Sequence, residues 1–212
     1  MPVTTQGQVG PQLLGPGTAI GTTRLGAAGE TVVTGYHGKY FEQTYRGNVF
    51  YASQASTGLA ISIFSAAAQN FLVWNPPGSG INCVPIRALV TYVSGADIAG
   101  HMCIGHSLTV QAQPGTLTVA PNLWPARPGA TVTGKTIIYT PGSPGTALTY
   151  HSPLDLNFET AVAASTNAAY KTAHEFDGTF IAPPGSLWSI GSNVAQTTRI
   201  SVISLIYEEV PI

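Results

Sequence analysis

From residue 35 onward, short runs of β-branched and aromatic residues alternate with polar ones, and each run is closed by Gly, Pro, Asn or Ser. A period of two broken at short intervals is the pattern of strands joined by turns. It predicts ten strands, at 39–44, 48–54, 59–64, 71–75, 84–94, 102–111, 135–140, 179–182, 186–191 and 199–207. In the last of these, Ile200, Val202, Leu205 and Tyr207 mix alternation with a continuous apolar run, which predicts a central strand covered on both faces. Turn chemistry divides the chain in the same places. Arg46-Gly47-Asn48 predicts a tight hairpin, and Asn75-Pro76-Pro77-Gly78 and Ala182-Pro183-Pro184-Gly185 each stop one strand before the next begins. Pro fixes φ and removes a donor, while the following Gly supplies the positive φ that a turn needs.

Three segments do not carry the strand pattern. Residues 1–34 are dense in Gly and Pro, with spaced apolar residues at Leu13, Leu14, Ile20 and Leu25. Glycine at that density prevents a helix and weakens a strand, so the segment reads as an extended arm. Two readings stand for it: an unanchored terminus, or an arm that orders against a neighbouring subunit through those four residues. The stretches at about 112–134 and 141–176 read as long loops, the second holding an Ala-rich run at 159–174 that has the composition of one short helix. The fold class that follows is all-β: an antiparallel β-sandwich spanning 35–212, a jelly roll as the first variant and an Ig-like sandwich as the alternative.

Charge changes the picture more than any motif. Eight Lys or Arg and nine Asp or Glu among 212 residues give 8% charged residues and a net charge of −1, against roughly a quarter in ordinary globular chains. Surface charge keeps a monomer apart from its neighbours. A chain that lacks it suits a surface covered by other proteins, and the scattered Lys and Arg make no basic patch for nucleic acid. The 44% apolar content, with nine Tyr, seven Phe and three Trp, supports a folded core rather than disorder. No run approaches a membrane helix, and Met1 to Gly10 lacks a basic start followed by an apolar stretch, which predicts synthesis and folding in a cytoplasm. In that compartment Cys83 and Cys103 read as buried free thiols.

Candidate chemistry is sparse. His101, Cys103 and His106 form the single cluster with soft ligands, but strand alternation puts His101 and Cys103 on one face and His106 on the other, so they converge on a metal only with a bulge at Gly105. No G-x-S-x-G elbow or P-loop occurs. Gly15-Pro16-Gly17 with Gly21 has the wrong spacing for a dinucleotide fingerprint. Asp155 with Glu159, and Glu175 with Asp177, are the acidic pairs available for glycosidase chemistry, and both read as solvated loop charges. Glu208 and Glu209 read as a polar rim beyond the last strand. No enzymatic activity and no cofactor or metal is expected. The aromatics are the better candidates: Tyr36, Tyr40, Tyr45 and Tyr51 cluster with Phe41 and Phe50, and alternation would turn half of those rings outward, toward a neighbouring subunit or a carbohydrate.

Gly38-Lys39-Tyr40-Phe41-Glu42, Arg46-Gly47-Asn48-Val49-Phe50, Trp74-Asn75-Pro76 with Gly78 and Gly80, and the closing Tyr207-Glu208-Glu209-Val210-Pro211-Ile212 together resemble small virion structural proteins of tailed bacteriophages. That resemblance implies a capsid decoration or cement protein, or a head-fibre or tail-fibre component. It implies a homo-oligomer, a trimer in the first instance, which contacts the major capsid protein or other virion proteins. Localisation would be the virion, after synthesis in the host cytoplasm. The assembly contacts would fall on Leu13, Leu14, Ile20, Leu25, Tyr36, Tyr40, Tyr45 and Tyr51. The alternative function is a carbohydrate-binding or receptor-binding module of a fibre, with Tyr, Trp124 or Trp188 as stacking platforms.

Overall fold

Residues 38–212, except 97, 116–121, 132 and 159–170, are described by a computed structural model. The arm at 1–34, with Leu13, Leu14, Ile20 and Leu25, lies outside the described residues, as does Tyr36.

The first element is a helix, α1 (Phe41–Arg46), where alternation predicted a strand at 39–44. Local pairs explain the difference. Glu42 and Arg46, one turn apart, form an ion pair at 2.8 Å, and Phe41 and Tyr45 stack at 6.1 Å, both contacts that only a helical backbone allows. Gly47 at φ 81 then ends the helix, its N–H bonding to Thr44 O and that of Asn48 to Gln43 O. Arg46-Gly47-Asn48 is therefore a helix C-cap, not the hairpin predicted there.

Among the described residues eleven strands follow: β1 (Val49–Ser53), β2 (Leu59–Ile61), β3 (Leu72–Trp74), β4 (Ile81–Ser94), β5 (Gly100–His106), β6 (Asn122–Pro125), β7 (Ile137–Tyr139), β8 (Thr149–Phe158), β9 (Lys171–Glu175), β10 (Leu187–Ser192) and β11 (Gln196–Pro211). They make two antiparallel sheets packed as a β-sandwich. One has the order β6-β1-β11-β4-β9 with β2 also on β11, the other β7-β3-β10-β5-β8. Four pairs are nested: β1 with β11, β3 with β10, β4 with β9 and β5 with β8. The chain thus runs out and back like one long folded hairpin whose legs alternate between the sheets.

Several boundaries move. The stretches read as loops hold β6, β8 and β9, and residues 171–174, expected in a helix, belong to strand β9, paired to β4 through its backbone. Residues 179–182 contribute a single bridge, Ala182 to Cys83, instead of a strand. The strand expected at 102–111 ends at His106. β11 continues through Glu208 and Glu209, so neither is a rim beyond it.

Between the sheets, Phe50, Ala52, Ala88, Val90, Ile203, Leu205 and Tyr207 meet Phe71, Val73, Met102, Ile104, Trp188 and Ile190 in one apolar cluster. Cys83 lies within it, and both thiols are free and buried. Burial pushes each of them up to about 12, so they stay protonated and unreactive in the folded chain. A second cluster, Leu72, Trp74, Tyr139, Leu148 and Leu187, covers the other face of β3 and β10.

Candidate functional site

Two features stand out: the outward face of the six-stranded sheet, and a cleft at one end of the sandwich. On β1, Phe50 and Ala52 point into the core, so Tyr51 points away from it. Residues opposite one another across a strand pair share a face. Tyr51 is opposite Trp124 on β6 and Ile206 on β11, Ile206 is opposite Arg87 on β4, and Arg87 is opposite Glu175 on β9. The row Trp124, Tyr51, Ile206, Arg87, Glu175 therefore crosses the whole outward face. The next row holds Ser53, Ser204 and Leu89, with the two hydroxyls 2.8 Å apart, and Val202 and Thr91 lie beyond it. On the other side Val84 faces Glu208, whose carboxyl is raised above its usual range by burial.

An antiparallel sheet that turns one face to water normally alternates apolar-in and polar-out. Here the middle of the outward face is Tyr51, Ile206, Leu89, Val202 and Val84, all half-buried, flanked by Trp124, which is 61% exposed. Its ion pair, Arg87 with Glu175 at 2.8 Å, sits on the β9 side. Of the tyrosines predicted for assembly, Tyr51 stands in this row. Tyr45 is on α1, where its ring meets the Arg127 guanidinium at 4.9 Å and its carbonyl accepts from Arg127 Nη1. Tyr40 precedes α1 with Lys39 over its ring at 5.3 Å. The predicted cluster is thus divided between a helix and a strand. Trp124 was singled out in the sequence as a stacking platform and is exposed, but that it and Ile206 join Tyr51 in one row depends on strand order.

The cleft involves the histidines, in a different combination from the one considered above. On β5, His106 shares the inward face with Met102 and Ile104, while His101 and Cys103 point the other way; His101 packs edge-on against Tyr150 at 6.3 Å. Among the described residues no three His, Cys, Asp or Glu gather as metal ligands. The register between β5 and β8 does shift at Gly105, but the extra residue is on the partner strand: Gly105 faces Tyr150, Ile104 faces Ser152, and His151 bulges between them. Its ring meets His106 edge-on at 5.0 Å.

Beside this pair a cleft of about 340 Å³ opens between residues 179–183 and strands β5, β8 and β10. Rings line it in series, His106 to His151, His151 to Phe180 at 5.0 Å and Phe180 to Trp188 at 5.1 Å. Trp188, expected as an exposed platform, is fully buried, because β10 places it in the core behind Phe180. The His106 imidazolium is disfavoured, first by burial and then by the proximity of His151, so its pKa is lowered. The remaining acidic candidates do not converge. Glu175 pairs with Arg87, and Asp177 with Lys39 at 2.5 Å on the exposed surface, each carboxylate having its own cation. Glu159 lies outside the described residues.

Among the described residues no helix is long and apolar enough to cross a membrane. No protein-family model, curated protein or solved structure matches the chain.

Proposed function

We propose that this is a virion structural protein of a tailed bacteriophage, a capsid decoration or cement protein that acts as a homo-oligomer against the shell. The observation that carries the reading is the outward face of the six-stranded sheet, where Trp124, Tyr51, Ile206, Leu89 and Val202 occupy positions normally given to polar residues. The low charge of the whole chain supports it. Apolar patches of this kind on soluble proteins mark interaction surfaces. The nested strand pairs fit jelly-roll connectivity, a fold used in capsid subunits.

The mechanism is mechanical: a trimer buries this face between copies, and the assembled unit contacts the major capsid protein. Aromatic anchors at the centre of an interface commonly contribute ~2 kcal/mol or more, roughly thirtyfold in affinity. Sedimentation velocity over the micromolar range should show an oligomer for the full chain and dissociation of Trp124→Ser at concentrations where the parent remains assembled. Because Trp124 is mostly exposed in the single chain, that substitution leaves folding intact. A parent chain that sediments as a monomer throughout would overturn the reading.

A further inference from the structure

Where β5 ends, two imidazoles meet with nothing beside them to balance a charge. The bulge in β8 re-aims His151 onto His106, edge-on at 5.0 Å. An imidazole that takes up a proton becomes a donor at both nitrogens. His106 is poorly placed for that, because its Nδ1 is buried and faces no acceptor. With its hydrogen on Nε2 the neutral ring strands no donor; the charged ring would strand one. His151 is exposed, and its Nδ1 lies 3.0 Å from Ser152 Oγ, a hydroxyl that accepts as well as donates. It keeps that bond in either state, so in acid the pair takes its first proton on His151. That charge then sits against the His106 ring and opposes a second. Burial and this neighbour both lower the His106 pKa, burial the more.

No other charge intervenes. β10 places Trp188 opposite His106, and residues 107–111 and 179–183 carry no titratable side chain. On β5 itself His101 and Cys103 point to the other face, where His101 meets Tyr150 of β8. Among the described residues lining the cleft there is no Lys, Arg, Asp or Glu. Asp177, just before residues 179–183, is held by Lys39, and His174 of β9 packs against Phe176. The contact matters to the fold because His151 also packs on Phe180, and Phe180 covers Trp188. We propose that His106 and His151 form an acid-sensitive joint, which holds β8 and residues 179–183 against β5 while His106 is neutral and loosens when it is charged. The unfolded chain accepts a proton that the folded His106 refuses. Stability is therefore undiminished at neutral pH, and the folding constant falls by up to about tenfold for each pH unit below ~6.5 until the folded ring itself titrates.

The test follows the imidazole resonances of the full chain, labelled with ¹³C and ¹⁵N, through an NMR pH titration. His106 should titrate below ~6.5, and His151→Gln, at an exposed position, should move it upward. Urea denaturation at about pH 7.5 and about pH 5.5 gives a second readout, in which the parent loses up to about tenfold in folding constant through this ring and His106→Gln, which takes up no proton there, loses correspondingly less. A role confined to packing would instead lower the stability of His106→Gln equally at both pH values. Three results would overturn the proposal: His106 titrates at or above the ordinary imidazole value, its titration is unmoved in His151→Gln, or His106→Gln keeps the full pH dependence of the parent. Neither ring is on the six-stranded sheet, so each of these outcomes leaves the assembly reading to its own test.

Discussion

Glu209→Ala will destabilise the protein by about 3 kcal/mol, while Glu209→Gln will cost about 1 kcal/mol, as measured by equilibrium urea denaturation. Glu209 is on β11 and only 7% exposed, and its Oε1 accepts the backbone N–H groups of Lys135 and Thr136, both at 2.7 Å. Those amides lead directly into β7 of the opposite sheet, so one carboxylate on the first sheet fixes the entry to an edge strand of the second. Alanine removes the acceptor and leaves two amides without it, one of them buried. Glutamine keeps an oxygen in the same place and loses only the charge assistance. Equal losses for the two variants would show that packing, not acceptance, is what Glu209 provides.

Gln69→Leu should be at least as costly, about 3–4 kcal/mol, out of a total stability of ~5–15 kcal/mol. Gln69 is fully buried, and its Nε2 lies within hydrogen-bonding distance of the carbonyls of Ile63, Phe64 and Ala66 at 3.1, 3.0 and 2.8 Å. Its Oε1 accepts from Ser189 Oγ at 2.8 Å, and its backbone exchanges two bonds with Gly142. A single amide side chain thereby ties the turn after β2 to β10. Leucine matches its size and offers none of these bonds, so the carbonyls and the Ser189 hydroxyl are stranded. Ser189→Ala, which removes one of the bonds, should cost only about 1 kcal/mol. A loss below about 1 kcal/mol for Gln69→Leu in the same urea assay would contradict this account.

Which parts of the structure were legible follows from where each residue sits. β4, β10 and β11 are interior strands whose apolar alternation is strong, and the pattern found all three, although β11 extends further than its apolar run because Glu209 is held by backbone donors. β6 and β8 lie in stretches read as loops, and each holds a proline, Pro125 and Pro153. Both are edge strands, where a missing N–H can face solvent. Pro85, in the interior strand β4, adjoins a register shift opposite Ile206 and Tyr207, the other setting that tolerates proline. The helix α1 was hidden because Tyr40, Phe41 and Tyr45 are residues favoured in strands, while its own signals, Glu42 with Arg46 and the capping Gly47, are only four to five residues apart.

The candidate sites were less legible for a related reason. Tyr51 was among the residues expected at an assembly contact, but the row it joins depends on which strands flank β1, and no local pattern carries that order. A bulge at Gly105 was recognised as the condition for His101, Cys103 and His106 to converge on a metal. That it would bring in His151 depends on the register of β8, which the sequence does not encode locally.

The central claim is that the outward face of the six-stranded sheet is covered in the assembled protein. Of the three tryptophans, Trp74 and Trp188 are buried and Trp124 is 61% exposed in the single chain. Acrylamide quenching of the full chain, compared with Trp124→Phe, isolates that one ring. The account predicts that at assembling concentrations Trp124 contributes no more quenchable emission than the two buried rings, and that dilution restores it. A quenchable component that Trp124→Phe removes at every concentration would contradict it.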